Sequence, residues 1–461
     1  MTENFRLEKD SIGSIKVPKD VFWGAQTQRS LENFSTGNEL MPLQLIHAIT
    51  LIKKAAAIAN NNLGVIENHK KDLITNSCLD ILSGSYDSQF PLKIWQTGSG
   101  TQTNMNVNEV IANIAALKTN SELGSYKVIH PNDDVNKSQS TNDTFPAAIH
   151  ISVVLQITQA LIPSIDKLNE SLDKKSDEWK KLIKIGRTHF QDAVPMTFGQ
   201  ELSAWSKQLK DDKKSIMSCI SELYNLQIGG TAVGTGINCP RNFSEEVINI
   251  IKNETNLPFA CSQNHFSLMA SHDRLANVMS QLKIIACSLF KISNDIKILS
   301  SGPRSGIYEL IIPKNEPGSS IMPGKVNPTQ CEALSMICTQ IMGFEYAVTM
   351  ANCSGTLQMN EYKPLLAFNI LTSIKLLSEV MDNFRIKLIN GMEPNHQSIE
   401  SNLNNSLMLV TALVPEIGYE KAAEIANLAF NDSLNLREAN LKLGYLDVKK
   451  YDEIMNIEQM I

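Results

Sequence analysis

The sequence lacks the paired cysteines that metal and redox proteins use. Its eight cysteines never occur at CxxC spacing, and they are scattered along the chain at Cys78, Cys219, Cys239, Cys261, Cys287, Cys331, Cys338 and Cys353. This spacing argues against zinc fingers, iron–sulfur clusters and thioredoxin-like motifs. We therefore expect that the protein binds no metal. We also expect that its thiols are reduced and mostly buried.

Basic blocks and long apolar runs are also missing. The net charge is -6, and no Lys/Arg block stands beside interleaved aromatic residues, which argues against nucleic-acid binding. No uncharged apolar run reaches about 18 residues, so no membrane span is predicted. The first residues, MTENFRLEKDS, contain acids and lack the apolar core of a secretory signal and the Arg/Ser-rich pattern of a transit peptide. We expect a cytoplasmic protein.

What is present is a globular composition in a chain too long for one hydrophobic core. The 461 residues are 43% hydrophobic and 20% charged, which is typical of soluble proteins with several domains. Short segments and turn signals fill the first part, and long periodic segments follow. We predict an N-terminal mixed domain over residues 1–138, a central long-helix domain over 139–391 and a small C-terminal helical domain over 392–461.

Five long stretches in the central domain have apolar residues at three- and four-residue spacing, the pattern of amphipathic helices. The first starts near Phe145, the second follows Pro195, the third carries Leu275 to Ile296, the fourth follows Pro328, and the fifth spans about Pro364 to Ile389. Several faces are broadly apolar, as in Ile284 to Phe290, which indicates burial on more than one side. The pattern predicts a mainly α protein with a central bundle in an oligomer.

Glycine-rich connections join some of these helices. Gly229 to Gly236 reads GGTAVGTG, and Ser301 to Gly306 reads SGPRSG. Neither has the strand-GxGxxG-helix context of a dinucleotide fold. We predict close-packed loops and no nucleotide.

Four polar segments interrupt the apolar scaffold and are rich in small hydroxyl and amide side chains. They are Thr97 to Asn106, His130 to Asp143, Gly186 to Ala193, and Gly318 to Glu332, which reads GSSIMPGKVNPTQCE. A small dicarboxylate needs many neutral donors and one or two cations. Each segment alone also fits a turn or a helix cap.

Together these segments resemble the signature regions of the fumarase/aspartase superfamily over nearly the whole chain. GSSIMPGKVNP at Gly318 to Pro328 is similar to the branch that fumarases and aspartases share. TGSGTQTNMN at Thr97 to Asn106 and PTQCE at Pro328 to Glu332 resemble the class II fumarases. The resemblance implies reversible trans addition of water to fumarate, giving (S)-malate, without a metal or organic cofactor.

The resemblance also implies an assembly and a set of site residues. The assembly is a homotetramer with five long helices from each subunit, about twenty in all, and with active sites shared by three subunits. Ser319 is the expected base at carbon in a mobile loop, and His189, partnered by Glu332, handles the proton of water. Substrate contacts are expected from Ser99, Gly100, Thr101, Ser140, Thr141, Asn142, Thr188, Ser320, Lys325 and Asn327, with Lys325 also stabilising the charged intermediate.

Some finer expectations depend on single residues. Glu332 lies seven residues beyond Lys325 and would share its helical face if the helix started early enough. Thr141 stands where the family more often has serine, and its methyl group would tighten the pocket. The family also has a second carboxylate site, and the residues that match it here are Lys127, His130, Asn132 and Asp133. Lys127 replaces an arginine of some relatives and cannot form a bidentate fork, so the segment is alternatively only a support for Ser140 to Asn142.

Two other functions fit the same motifs. An aspartate ammonia-lyase would share the scaffold, Ser319 and an aci-carboxylate intermediate. A non-catalytic relative would keep the fold without turnover, but the complete set of Ser319, His189, Lys325, Asn327 and Glu332 argues against it.

Overall fold

The computed structural model of the chain describes residues 4–461; the first three residues of the predicted N-terminal domain lie outside it. The helices are α1 (Ala25–Asn33), α2 (Leu43–Asn62), α3 (Asn68–Leu82), α4 (Thr101–Lys118), α5 (Thr141–Gln156), α6 (Ile162–Glu178), α7 (Phe198–Ile220), α8 (Phe243–Thr255), α9 (His265–Ala270), α10 (Asp273–Leu299), α11 (Thr329–Cys353), α12 (Lys363–Lys387), α13 (His396–Asn405), α14 (Val414–Ile417), α15 (Tyr419–Asn431), α16 (Leu436–Leu443) and α17 (Val448–Ile454). The strands are β1 (Phe5–Lys9), β2 (Ser14–Pro18), β3 (Ile183–Thr188), β4 (Gln191–Thr197), β5 (Asn225–Leu226), β6 (Ala260–Cys261), β7 (Leu310–Ile311) and β8 (Glu393–Pro394). The mainly α prediction is confirmed.

All five predicted long helices are present. The first is continuous over Thr141–Glu178, because a π turn at Ile157–Leu161 joins α5 to α6. The others are α7, α10, α11 and α12. The first helix starts four residues before the predicted Phe145, because Ser140 and Asp143 form a capping box that satisfies the first amides. Pro146 lies inside the helix, beyond its first turn, so one intrahelical hydrogen bond is missing there.

The chain divides into two compact units whose boundaries fall inside the long helices. The first unit contains residues up to Pro163, Lys214–Ala286 and Thr339–Ser378; the second contains Ser164–Lys213, Cys287–Cys338 and Glu379–Ile461. The predicted domain boundaries follow the order of elements along the chain, whereas these units follow packing. The three-domain division remains a prediction.

Within the first unit, α2 packs against α3, α5 and α8, and α4 packs against α3. The antiparallel β1–β2 ribbon joins α1 at the edge of this unit. The region before residue 138 is therefore mostly helical, with a single ribbon as its strand content. The start of α4 and the start of α5 both belong to this unit, and both carry predicted site residues.

The second unit contains the antiparallel β3–β4 hairpin and the C-terminal helices α13 to α17. Ile185 of β3 lies in a buried apolar cluster with Leu413, Ile425 and Ala439. This packing anchors the base of the hairpin against the C-terminal helices.

Three helices reach the length and apolar composition of a membrane span. They are Thr141–Glu178, Asp273–Leu299 and the segment Lys363–Gly391, which includes α12. In the first and third, 67% of the most apolar window is already buried within the chain. Their apolar character is thus largely explained by internal packing.

Candidate active site

The segment before α4 combines two hydroxyls with a tight turn. Gly100 precedes the helix with φ of 81°, and a Cβ there would lie 2.4 Å from the Phe145 ring, so glycine is required on both counts. The Ser99 and Thr101 hydroxyls are 2.8 Å apart. Thr101 is exposed at the first turn of the helix, where free backbone amides and the helix dipole favour an anion.

The segment Ser140 to Asn142 begins α5 and is held by several hydrogen bonds. Ser140 Oγ accepts from the Asn142 amide at 3.2 Å, and the Asn142 side chain donates to Ala232 O at 2.8 Å. The buried Thr141 hydroxyl accepts from Asn104 Nδ2 of α4 at 3.0 Å. This bond joins the starts of α4 and α5, so two helix N-termini with hydroxyl groups lie together in the first unit.

The segment predicted as a second carboxylate site is a one-turn π-helix, Pro131–Val135. His130 caps it, because its Nδ1 accepts from the amides of Asn132 at 3.3 Å and Asp133 at 3.1 Å. This use of Nδ1 as an acceptor favours the tautomer with the proton on Nε2. Lys127, Asn132 and Asp133 are exposed.

A cleft of about 370 Å³ in the first unit is lined by both Thr101 and Asn132. Arg29 lines the same cleft, and Asp10 accepts from its Nε and Nη2 at 2.9 Å each. The structure thus brings one predicted substrate residue close to one residue of the predicted second site. Sequence reasoning missed Arg29, because it lies in α1, outside the four polar segments.

His189 lies at the tip of the β3–β4 hairpin. Thr188 pairs with Gln191, which leaves His189 and Phe190 as a two-residue turn with φ of 55° and 62°. Such turns favour asparagine and glycine, so a histidine and a phenylalanine here carry backbone strain. Thr188 and His189 are exposed, and the Phe190 side chain is 75% exposed. The strained turn presents the imidazole at the tip of the hairpin.

Buried ion pairs hold the base of this hairpin. Arg187 donates two hydrogen bonds to Glu309, at 3.0 and 2.7 Å. Lys184 lies 2.6 Å from Glu201 and 3.0 Å from Glu309. Burial opposes the charge of Glu309, but the hydrogen bond from Arg187 and the charges of Arg187 and Lys184 hold the pKa of its carboxyl below the ordinary value. A cleft of about 270 Å³ is lined by His189 and by Lys184, Arg187 and Glu201 of this group.

Ser319 lies in an exposed loop before α11. Its Oγ accepts from the backbone amides of Ile321 at 3.3 Å and Met322 at 3.1 Å. Two N–H donors directed at one oxygen would stabilise a developing alkoxide. Ser320 is exposed beside it.

The loop is closed by its own residues. The Asn327 side-chain amide donates to Gly318 O, and a Cβ on Gly318 would lie 2.1 Å from Lys325 O. Lys325 is exposed. Since α11 begins only at Thr329, Lys325 lies outside the helix and the condition for a shared face with Glu332 is not met. Glu332 is exposed in the first turn, and within residues 4–461 no hydrogen bond joins it to His189.

The chain is similar to known lyases over its whole length. A family model described as "Lyase" matches residues 13–343, and one described as "Fumarase C C-terminus" matches residues 409–461. The "Fumarate hydratase class II" of Prochlorococcus marinus subsp. pastoris is 71% identical over 461 residues, covering 100% of both chains. The chain belongs to the class II fumarate hydratase family.

Solved structures agree with this membership. The class II fumarase of Schistosoma mansoni is 42% identical, covers 99% of both chains and superposes with a TM-score of 0.96. A fumarate lyase:delta crystallin from Brucella melitensis, crystallised bound to cobalt, is 38% identical, with a TM-score of 0.95 and 99% coverage of both chains. The fumarate hydratase family assignment makes this chain a lyase.

For a fumarate hydratase, the predicted residues form two groups. Ser99 to Thr101, Ser140 to Asn142 and the Lys127 to Asp133 segment belong to the first unit, and Thr188, His189, the Ser319 loop and Glu332 belong to the second. The first group supplies hydroxyl and amide donors for carboxylates. The second supplies histidine, lysine and the serine with amide donors. Within residues 4–461 no group of three or more His, Cys, Asp or Glu side chains is arranged to hold a metal ion.

Proposed function

We propose that this lyase catalyses the reversible hydration of fumarate to (S)-malate by trans addition, without a metal or organic cofactor. The observation that carries the proposal is the Ser319 Oγ with two backbone amides directed at it, in a chain of this family. A serine is a weak base at neutral pH, and amide donors are what its alkoxide would need. The starts of α4 and α5 are suited to hold the two carboxylates of a small substrate.

In the direction of elimination, Ser319 removes a proton from the carbon beside one carboxylate of malate. The electron pair of the broken C–H bond moves into that carboxylate, giving an aci-carboxylate whose extra charge Lys325 and Asn327 stabilise. The pair then returns to form the double bond as the C–O bond breaks. His189 protonates the departing hydroxide, and Glu332 orients the imidazole.

Magnitudes indicate that both kinds of group are needed. Positioned acids and bases contribute roughly 10²- to 10⁴-fold, whereas enzymes typically accelerate reactions by about 10⁶-fold or more. Fixed cationic and hydrogen-bonding stabilisation of the intermediate would supply much of the remainder. We assign part of this stabilisation to four hydroxyls, those of Ser99, Thr101, Ser140 and Thr188.

We further propose that the active enzyme is a homotetramer with sites completed by more than one subunit. Large apolar side chains are exposed on two long helices, including Ile284 of α10 at 42% and Met336 of α11 at 67%. Phe190 beside the catalytic histidine is exposed as well. Faces of this kind are expected to be covered by further copies in a helical bundle.

Substrate choice is tested by presenting malate and aspartate separately and following fumarate by its ultraviolet absorbance. We expect fumarate from malate alone. Release from aspartate alone would show an ammonia-lyase, and no release from either would show a non-catalytic relative. Extended dialysis against a chelator should leave malate dehydration unchanged, and a loss restored by cobalt or another divalent metal would refute the metal-free proposal.

Subunit sharing is tested by mixing two inactive variants, Ser319→Ala and His189→Asn, after dissociation and reassembly. If the two residues of one site come from different subunits, a random mixture should recover about a quarter of the wild-type sites. A mixture that stays inactive, although co-purification of differently tagged variants shows mixed tetramers, would place both residues in one subunit.

A further inference from the structure

Lys53 of α2 is a buried cation to which neither the family resemblance nor the proposed mechanism assigns a role. Its side chain is 0% exposed. Burial lowers the pKa of Lys53 to about 7, and the negative charge of Asp143 counteracts part of that effect. A buried amine is costly unless it is hydrogen-bonded, whereas an apolar residue would fill the same space without that cost. The position of its nitrogen therefore needs an explanation.

The Lys53 nitrogen donates to two side chains that precede the substrate segment. It lies 2.8 Å from Asn136 Oδ1 and 3.0 Å from Gln139 Oε1. Asn136 Oδ1 also accepts from Asn104 at 3.1 Å and Asn108 at 3.3 Å, both on α4. One carbonyl oxygen thus receives donors from α2 and α4.

The two acceptors are in turn bonded to their own backbone. Asn136 Nδ2 donates to Gln139 O at 3.3 Å, and Gln139 Nε2 donates to Val135 O at 3.1 Å and Lys137 O at 3.0 Å. The segment from Val135 to Gln139 is therefore closed on itself around the Lys53 nitrogen. It leads directly into Ser140.

A second side chain of α2 contacts the same segment. Asn60, two helical turns from Lys53, accepts from Ser138 Oγ at 2.8 Å and donates to Lys137 O at 3.0 Å. Ser138 has φ of 65°, a strained conformation for a serine that surrounding contacts must maintain. Helix α2 thus holds the segment through two side chains, Lys53 and Asn60, that lie two helical turns apart.

On its other side, the substrate segment is held by the buried carboxylate of Asp143. One oxygen accepts from the Ser140 amide at 3.0 Å, and the other accepts from the amides of Gly229 at 3.0 Å and Thr231 at 2.9 Å. Ser140 to Asn142 consequently lies between a buried cation and a buried anion. Their hydrogen bonds hold the backbone that precedes the segment and the backbone at its start.

We propose that Lys53 is a positioning residue for the carboxylate-binding segment Ser140 to Asn142, acting through Asn136 and Gln139 without touching substrate. This inference rests on the proposed function for its kinetic consequence. Its structural consequence, an ordered segment from Asn136 to Asn142, does not depend on which substrate the enzyme takes. The two consequences can therefore be measured separately.

The test compares Lys53→Met with the matched control Lys54→Met. The control removes the same side chain one position along α2, where the amine instead pairs with Glu254 at 2.7 Å and the Lys54 side chain is 12% exposed. We expect Lys53→Met to raise KM for fumarate and malate about tenfold or more, with kcat changed less than about threefold, because orientation of a binding segment is lost. Lys54→Met should keep both constants within about twofold of wild type.

Backbone hydrogen exchange provides the readout that is independent of activity. Lys53→Met should accelerate exchange of the amides from Asn136 to Asn142 and leave those of β3 and β4 unchanged. Lys53→Gln, which retains a donor, should restore part of the wild-type KM and protection. Asn136→Leu removes the shared acceptor, and combined with Lys53→Met it should add little to either single effect.

The outcomes separate the two proposals. If wild type hydrates no fumarate, the proposed function fails while hydrogen exchange still tests Lys53. Unchanged KM and unchanged exchange in Lys53→Met overturn the positioning role, and so does a lower unfolding temperature with unchanged KM. If Lys53→Met does not fold, the same measurements on Lys53→Gln and Asn136→Leu decide, and wild-type KM and exchange in both would overturn the inference.

Discussion

The segment Ser140 to Asn142 and the loop around Ser319 carry different parts of the proposed chemistry and are held in different ways. The segment is tied to α2, to α4 and to the Gly229 loop by buried side chains, including Lys53 and Asp143. The Ser319 loop is bonded mainly to itself, and Ile321 beside it is 83% exposed.

The contrast matches the demands on each part. Groups that hold a substrate carboxylate gain from fixed positions, because no ordering cost is then paid on binding. A base that must approach the substrate carbon, on a loop that must then open to release product, gains from a loop with few hydrogen bonds to the rest of the chain. The comparison predicts that changes in the loop mainly affect turnover and that changes in the anchored segment Ser140 to Asn142 mainly affect binding.

The largest effect is expected in the loop. Ser319→Ala should lower kcat by about 10³-fold or more, because it removes the proposed base for the carbon-bound proton. Fumarate binding, measured by calorimetry, should remain within about threefold of wild type, because the carboxylate-binding groups are unchanged.

Ser320→Ala is the neighbouring comparison. It removes an adjacent hydroxyl with a proposed substrate contact, so a loss of about tenfold, appearing mainly in KM, is expected. A fully active Ser319→Ala variant would remove that residue from the role of base and end the distinction between loop and segment.

The sequence was sufficient to predict the long helices. It was not sufficient to predict the anchors, which are the buried side chains that hold the candidate site residues in place. Apolar spacing predicted all five long helices, and the hydroxyl-rich segments were recognisable by motif. The anchors were not recognisable, because their roles depend on contacts between distant parts of the chain: Lys53 meets Asn136 across 83 positions, and Arg187 meets Glu309 across 122. In the sequence, Lys53 and Lys54 are two adjacent lysines of one helix. Only the packing shows that Lys53 is fully buried and that Lys54 is partly exposed and paired with Glu254.

Local chemistry also shifted details that periodicity could not resolve. The capping box of Ser140 and Asp143 moved the start of the first long helix to Thr141. The late start of α11 at Thr329 left Lys325 in the loop, away from the helical face expected for it. The left-handed turn at His189 and Phe190 had no signal, because these residue types rarely adopt it.

The hairpin that carries His189 extends the comparison, because ion pairs anchor it as hydrogen bonds anchor the segment. Glu309→Gln should lower the free energy of unfolding at neutral pH by about 3 kcal/mol, since it leaves Arg187 without its buried partner and leaves Lys184 paired with Glu201 alone. It should also lower kcat by about tenfold, because the imidazole is no longer held at a fixed angle. Urea unfolding and steady-state kinetics measure the two effects.

The pH dependence of the free energy of unfolding tests whether the ion pairs of Glu309 cause this loss of stability. The pKa of Glu309 lies below its ordinary value of 4.5 in the folded protein, so its stabilisation is complete above that value and is lost as the pH falls through the folded-state pKa. The difference between wild type and Glu309→Gln should therefore shrink in acid. Glu400 of α13 is exposed, and the control Glu400→Gln should differ from wild type by less than about 0.5 kcal/mol at every pH. A difference that persists in acid would mean that the ion pairs do not anchor the hairpin.

The smallest effect is expected at Thr141, inside the anchored segment. Thr141→Ser keeps the hydroxyl that accepts from Asn104 and removes only a buried methyl group. Because the hydrogen bond between α4 and α5 is retained, KM for fumarate should change by less than about threefold, and kcat should be unchanged. Thr141→Val provides the contrast: it keeps the volume and loses the acceptor. Asn104 Nδ2 then keeps only its bond to Asn136, one buried N–H is left unpaired, and KM should rise by about tenfold. If serine and valine raised KM equally, the methyl group and not the hydrogen bond would set the pocket, and the segment would be held by packing alone.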